Sequence, residues 1–303
     1  MAKLAGIKGT ILVVGDVMTD IIVRPEGPIV PGSDRRAKIQ MISGGSSANQ
    51  AVWMAHFQLP VALFARIGVD DATSLTAAFQ RDGVTPHLAL DGTTQSGCLV
   101  TLVDPDGERS FLTDRGANLN LCYEDLPTEW WRETGLLQLS GYSFVAPGPR
   151  AVVQRMMIAA RAQNIPVSID PGSAGFMREI GAAAFRDWVG AADFLFANED
   201  EATVLSGVFE GKDQIARLSD QFELVVIKRG KNGAIAGDRN GILAEIDAEC
   251  VSAMDTTGAG DAFLAGFIAA MDDGAEIHAC LRAGNAAGAR AVQIIGGRPV
   301  SGG

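Results

Sequence analysis

A chain of 303 residues has room for one large α/β domain with a sizeable core. Its composition, 47% hydrophobic and 20% charged, is ordinary for a globular protein. The formal net charge of -11, with no basic run, argues against nucleic acid or an anionic membrane as a main partner, but not against a small anion bound by local backbone dipoles.

In chain order, "MAKLAGIKGTILVVGD" holds an apolar run too short for a signal segment or a membrane span. It reads as a first strand ending at Asp16, in a protein expected in the cytoplasm. Residues 21–43 contain three prolines and two short alternating stretches, a β-rich excursion whose three arginines belong to a solvated loop. "GGSSANQAVWMA" (44–55) is a glycine turn entering a helix over 46–58. Ser46 or Ser47 would cap that helix, or the turn would bring backbone close to a polar ligand, with the Asn49 amide contributing. A strand at 61–68 and a helix at 71–82 follow. Residues 87–113 read as strands joined by "DG"-type turns. With 21–43 they would form a small antiparallel flap, carrying His87 within reach of a substrate.

Further strands are expected at 136–142, 165–171, 193–198 and 224–230, and helices at 149–163, 199–206 and 211–220. "NEDE" (198–201) opens a helix either as an acidic cap or as a place for magnesium and its waters. "IKRGKNGA" (227–234) ends a strand and turns at Gly230 and Gly233. Lys228 there would neutralise a phosphate or stand in solvent. After Gly241 the chain reads as helical, with Ala and Gly permitting close packing. Trp130, Trp131, His56 and His278 read as packing or surface residues. Cys98, Cys122, Cys250 and Cys280 form no CxxC pair and read as reduced, buried thiols. Buried strands alternating with helices make the fold α/β: a mostly parallel sheet with helices on both faces, in one domain over 1–303.

"DTTGAGDAF" (255–263) carries the chemistry. Backbone N–H groups of Gly258, Ala259 and Gly260 in a first helical turn would cradle an anion. A carboxylate beside that cradle, Asp261, has a natural task in taking a proton from an attacking hydroxyl. The plainer alternative is that Asp255 or Thr256 caps the helix and Asp261 favours its dipole.

Together these stretches resemble the ribokinase-like (PfkB) carbohydrate kinases. "DTTGAGDAF" looks like that family's C-terminal signature and "GGSSANQAVWMAHFQLPVALFARIGVDD" its N-terminal one. "GDVMTDIIV", "RGANLNL", "NEDEA", "VVIKRGKNGA" and "GNAAGARAV" fall in its order and spacing, across nearly the whole chain. The resemblance implies transfer of the ATP γ-phosphate to a hydroxyl, usually primary, of a sugar under a β-lid. By motif position, Asp261 resembles the base and Gly258 to Gly260 the anion hole. Asp20, with Asp16 nearby, and Gly44, Gly45 and Asn49 look like substrate contacts. Lys228, Gly230, Gly233 and Asn285 resemble the nucleotide side. Asn198 and Glu201 match the motif that orders magnesium and its waters. Asp255 stands where some members help hold a monovalent cation, potassium.

Ser46 replaces a lysine typical of ribokinases, and Ser140 a glutamate; both departures point away from ribose itself. A nucleoside kinase, with Phe144 or Trp53 walling a base pocket, is the alternative on the same scaffold. A non-catalytic sugar or nucleotide binder is a third reading, disfavoured by the intact Asp261. A Rossmann dehydrogenase is disfavoured because "VVGDVMTD" lacks G-x-G-x-x-G. Exposed lid edges suggest a homodimer.

Overall fold

The computed structural model describes residues 6–104 and 108–299. Strand β1 (Thr10–Val14) opens the main sheet. β2 (Met18–Pro25) and β3 (Ala37–Gly44) leave it, α1 (Ser46–His56) returns, and β4 (Val61–Gly68), α2 (Ala72–Arg81) and β5 (Thr85–Asp91) follow. β6 (Gly97–Val103) and β7 (Arg109–Asp114) leave it again. Then come α3 (Trp130–Glu133), β8 (Thr134–Ser140), α4 (Pro147–Ala162), β9 (Val167–Asp170), α5 (Ala174–Ile180) and α6 (Ala182–Trp188). The chain ends through β10 (Phe194–Asn198), α7 (Glu199–Ser206), α8 (Gly211–Leu218), β11 (Leu224–Lys228), β12 (Ala234–Asp238), β13 (Gly241–Ile246), α9 (Ala259–Asp272) and α10 (Ile277–Ala291).

The main sheet has nine strands in the order β13-β12-β11-β10-β9-β8-β1-β4-β5. From β11 to β5 every pairing is parallel, while β12 and β13 add an antiparallel edge. Strand β1 shows why the sheet is covered on both sides. Ile11 and Val13 enter one core with α1, α2, α9 and α10, whereas Leu12 and Val14 enter the other with α4 to α8. A continuous apolar run is what such a strand requires.

After β1 the chain builds toward β4 and β5, and β8 then restarts on the other side of β1. Ligands of open α/β sheets bind at such a reversal, outside the strands' carboxyl ends. Asp16, Asp170, Asn198 and Lys228 stand at or just past the carboxyl ends of β1, β9, β10 and β11.

A second sheet, β3-β2-β6-β7, is the flap expected as a lid, but its central pair β2–β6 is parallel, so the sheet is mixed and not antiparallel. Its second half begins at Gly97, not at residue 87. Residues 85–91 are β5, the parallel edge of the main sheet. His87 therefore lies outside the lid. Its ring packs against Phe64 and Trp130, and Nε2 lies 2.6 Å from the Asp125 carbonyl. The region after Gly241 first forms β13, an antiparallel partner of β12, and only then turns helical.

Small residues, among them Ala265, Gly266, Gly284 and Ala287, are buried along α9 and α10. Of the four cysteines only Cys280 is buried, and Cys250 is exposed. Phe144 and Trp53 are core residues. Phe144 packs beside Phe185, and the Trp53 indole donates to the Gly297 carbonyl at 2.9 Å. Neither walls a pocket, so the aromatic base site expected of them is not formed by them. Among the described residues no helix is long and apolar enough to cross a membrane.

Candidate active site

The glycine turn at 44–45 feeds α1, and the cap differs from the expectation. Gly45 is the N-cap, without a side chain to contribute. Asp16, from the end of β1, supplies the missing acceptor: its two carboxylate oxygens each receive an amide, Ser46 N and Ser47 N, at 3.2 Å. This frees Ser46 to point elsewhere. Its hydroxyl donates to Asp261 Oδ1 at 2.8 Å. One turn on, Gln50 Nε2 donates to the same oxygen at 3.0 Å, and Asn49 Nδ2 approaches Oδ2 at 3.4 Å. Helix α1 thus presents three donors to one carboxylate.

Asp261 sits in the first turn of α9, whose N-cap is Gly258. Gly258 has φ +73°, and a Cβ there would stand 2.5 Å from backbone atoms of Gly297, so glycine is required. The Ala259 amide folds back to the Thr256 carbonyl at 3.3 Å. Among the described residues the amides of Gly258, Gly260 and Asp261 carry no hydrogen bond, and these are the open donors of the turn. Asp255 does not cap α9. Its carboxylate fastens the preceding turn, accepting from Thr257 N at 3.0 Å, Thr257 Oγ1 at 2.8 Å and Gly296 N at 3.2 Å.

Across from α9, Lys228 at the end of β11 pairs with Asp170 at the end of β9, Nζ to Oδ2 2.7 Å. Burial alone would lower the lysine pKa, but Asp170 and Glu201 more than offset it and hold the ammonium above its usual value. Asn198 and Glu201 form a reciprocal capping box at the start of α7. Burial, then the charge of Asp170, raises the Glu201 carboxyl above its usual range. Asp261 is pushed up to about 7, chiefly by burial and then by Asp170, against the lowering effect of Ser46 and Gln50. Asp20, on β2 of the lid, is pushed up to about 6 by burial and by Asp16. Its Oδ1 is buried and, among the described residues, has no hydrogen-bond partner. Gly44 makes that placement possible, since a Cβ there would lie 2.3 Å from the Asp20 carboxylate.

These groups border two clefts. The larger, of 610 Å³, lies between lid and sheet and is lined by Asp16, Asp20, Gly45, Asn49, Glu201 and Asp261, with Leu99, Phe111 and Thr113 from the lid. The smaller, of 460 Å³, is lined by Gly230, Gly233, Ala259 and Asn285, with an apolar wall of Val251, Ala253, Phe263 and Val292. Asn198, Lys228 and Gly260 line both. The Asn285 side chain is steadied by the Asp247 carbonyl at 3.0 Å.

The sequence reading missed four contributors. Asp170 ends "IPVSID", where a lone carboxylate looks like any strand terminus. Gln50 is steered by Gln138 of β8, whose Nε2 donates to Gln50 Oε1 at 3.1 Å, and both glutamines are fully buried. Arg298 donates to Asn49 Oδ1 at 3.0 Å and to the Gly44 carbonyl at 3.2 Å. Only the polar "Q" of an otherwise apolar "LLQLS" run marked any of these in advance.

A polar, carboxylate-lined cleft suits a polyol. An apolar slot ending in a lysine and open helix-start amides suits a flat base with a phosphate chain. Comparison with known proteins agrees. The profile of the pfkB family carbohydrate kinases matches residues 8–301. An ATP-dependent ribose-1-phosphate kinase of Halopiger xanaduensis is 30% identical over 289 residues, covering 92% of this chain and 90% of that one. The crystal structure of adenosine kinase from Sinorhizobium meliloti superposes with TM-score 0.87 at 22% identity, covering 97% of this chain and 96% of that one. An E. coli structure named as a ribokinase II, solved with ATP and Mg2+, superposes with TM-score 0.83 at 20% identity, covering 95% and 94%.

The raised carboxyls set the pH dependence of the ligand-free protein. A carboxyl whose folded pKa lies above its unfolded value stabilises the fold at low pH, and that contribution is lost as pH rises through the folded pKa. With both carboxyls raised from 3.8, Asp20 to about 6 and Asp261 to about 7, thermal stability is expected to fall between about pH 4 and pH 7 and then level off. Asp261→Asn should flatten part of that slope. Thermal denaturation across the range checks this; an identical slope in the variant contradicts it.

Proposed function

Given that the chain belongs to the pfkB family of carbohydrate kinases, ATP-dependent phosphotransferases acting on hydroxyl groups, we propose how its two clefts divide the work. The smaller cleft takes ATP, with the base against Phe263 and Val292 beside Asn285. The larger takes a small sugar or sugar derivative, with Asp20 and Asn49 among its contacts. The observation that carries this reading is that the clefts meet at Gly260 and Lys228, with Asp261 on the acceptor side of the junction.

In the proposed step, Asp261 accepts the proton of the acceptor hydroxyl. The hydroxyl oxygen bonds to the γ-phosphorus as the bond to the β-phosphate oxygen breaks, and ADP leaves. The amides of Gly260 and Asp261 and the Lys228 ammonium stabilise the charge on the transferring group. Asp16 does not face the reacting atoms directly: it holds α1, and α1 holds Asp261. The lid, bearing Asp20, excludes water from the cleft.

No group of three or more His, Cys, Asp or Glu residues among those described forms a metal cage. That suits magnesium, which is held largely by phosphates and waters. Glu201, buried beside Asp170 and thus raised, would gain from a nearby cation, so it and Asn198 are the residues to hold the ion's water shell. When bound, magnesium neutralises charge on the β- and γ-phosphates. The step invokes no monovalent ion at Asp255, whose oxygens already serve the turn.

Asp261→Asn is expected to lower kcat by roughly 10²- to 10⁴-fold, the usual range for a general base. ATP affinity should change only a few-fold. Steady-state kinetics with nucleotide titration separates the two; unchanged turnover sinks the assignment. In the wild type, kcat/KM should rise with pH and level off above about 7.

We also propose a homodimer through the lid. Ile21, Met41, Val100 and Leu112 lie in one row across its strands, opposite to the face bearing Asp20, Leu99 and Thr113. Met41 is 69% exposed and Leu112 62%. An apolar outer face of this kind marks an interface. Light scattering should give twice the chain mass, and Met41→Lys with Leu112→Lys should halve it. A monomeric wild type at all concentrations contradicts the proposal.

A further inference from the structure

Arg115, the first residue of "RGANLNL", is not used by the step above. It follows β7 at the edge of the larger cleft. Its backbone is fixed by Asn118, whose Nδ2 donates to the Arg115 carbonyl at 2.8 Å and to the Val17 carbonyl at 3.0 Å. Its guanidinium lies over the Tyr142 ring, 4.4 Å from the centroid. Stacking of this kind fixes the plane of the fork.

The fork itself is unspent. The Arg115 side chain is only 19% exposed, yet among the described residues it donates no hydrogen bond. The nearest carboxylate, Asp16, is at 3.8 Å, an ion pair without a hydrogen bond. Both Asp16 oxygens already accept the Ser46 and Ser47 amides. A guanidinium has five donors, and so enclosed a polar group normally finds acceptors. Lys228, the other cation of this cleft, is matched at 2.7 Å by Asp170. Arg115 is thus the cleft-lining cation whose donors remain open toward the space the acceptor would fill.

We propose that the phosphoryl acceptor carries an anionic group, a phosphate or a carboxylate, that Arg115 grips beside Tyr142 while the reacting hydroxyl lies at Asp261. This rests on the kinase reading and narrows its substrate class to acidic sugars. A planar fork matches the two oxygens of either anion, whereas neutral hydroxyls use it poorly. Asp16, 3.8 Å from one guanidinium nitrogen, makes no hydrogen bond with it, so the anion engages the donors that Asp16 leaves open.

The test measures ADP release on matched acceptors: ribose against ribose 1-phosphate, and a keto-deoxy sugar acid against its amide. Wild type, Arg115→Gln and Arg115→Lys are compared, with thermal denaturation confirming that each variant folds. The wild type should prefer the charged member of one pair, and which pair does so distinguishes phosphate from carboxylate. Arg115→Gln should cut that preference roughly 10- to 100-fold, the size of a charge-assisted contact, and Arg115→Lys should recover part of it. A wild type that prefers the neutral members, or a variant that loses both members of a pair equally, overturns the proposal while leaving the kinase reading intact. If no acceptor turns over, the acceptor lies outside these four, and binding decides in place of turnover. Calorimetric titration of ribose 1-phosphate and of the sugar acid then decides the anion subsite: binding to wild type lost in Arg115→Gln supports it, and equal or absent binding overturns it.

Discussion

The proposed mechanism depends on keeping a carboxylate ionisable next to the amides that would receive a phosphoryl group. Asp261 occupies the first turn of α9, where open amides attract anions, and it faces Asp170 across the junction of the clefts. Left to burial and that neighbour, its carboxyl would stay protonated. Ser46 and Gln50 act against both by donating hydrogen bonds, and Lys228 adds a positive charge. The balance leaves the group near 7, where a base is effective around neutral pH.

That balance is anchored well away from the carboxylate. Gln138 donates to Gln50 Oε1, and this leaves Gln50 Nε2 facing Asp261. Reversing the Gln50 amide would set two acceptors face to face. Gln138 lies in the middle of β8, inside an apolar layer, where an amide is costly unless its bonds are made. Asp16 plays a matching part on β1 by capping α1, and Arg298 holds Asn49 from the other side. Strands β1 and β8, at the reversal of the sheet, thus fix α1, and α1 fixes the Asp261 carboxylate. Burial in this network makes the geometry rigid, and it also raises the carboxyls that weaken the ligand-free fold as pH rises.

Much of this was legible in the sequence. Apolar runs marked β4 and α7 to the residue, because both are bounded by strong local signals: Gly68 for the strand, and the Asn198–Glu201 capping box for the helix. The signatures around Gly44 and Gly258 placed both sides of the site. The lid boundary at 87 was misplaced because "HLALD" alternates like a half-buried edge strand, and an edge of the main sheet reads the same as a lid strand. β13 was hidden by the Ala- and Gly-rich helices after it. The roles of Asp16, Gln138 and Arg298 depend on contacts spanning 30 to 249 positions, beyond the reach of local pattern apart from the one polar residue, Gln138, in its apolar run. Where the chain departs from the ribokinase pattern, at Ser46, the replacement donates to Asp261, so the residue shapes the base as well as the pocket.

The central claim is that the two clefts are one reaction path meeting at Gly260. A crystal structure with magnesium and a non-hydrolysable ATP analogue tests it most directly. The account predicts the base between Phe263 and Asn285 and the terminal phosphate on the Gly260 and Asp261 amides beside Lys228. The Asp261 carboxylate should then border the space from which a hydroxyl can attack in line, about 3–3.5 Å from phosphorus. A triphosphate lying in the larger cleft, or ending away from Gly260, would contradict it.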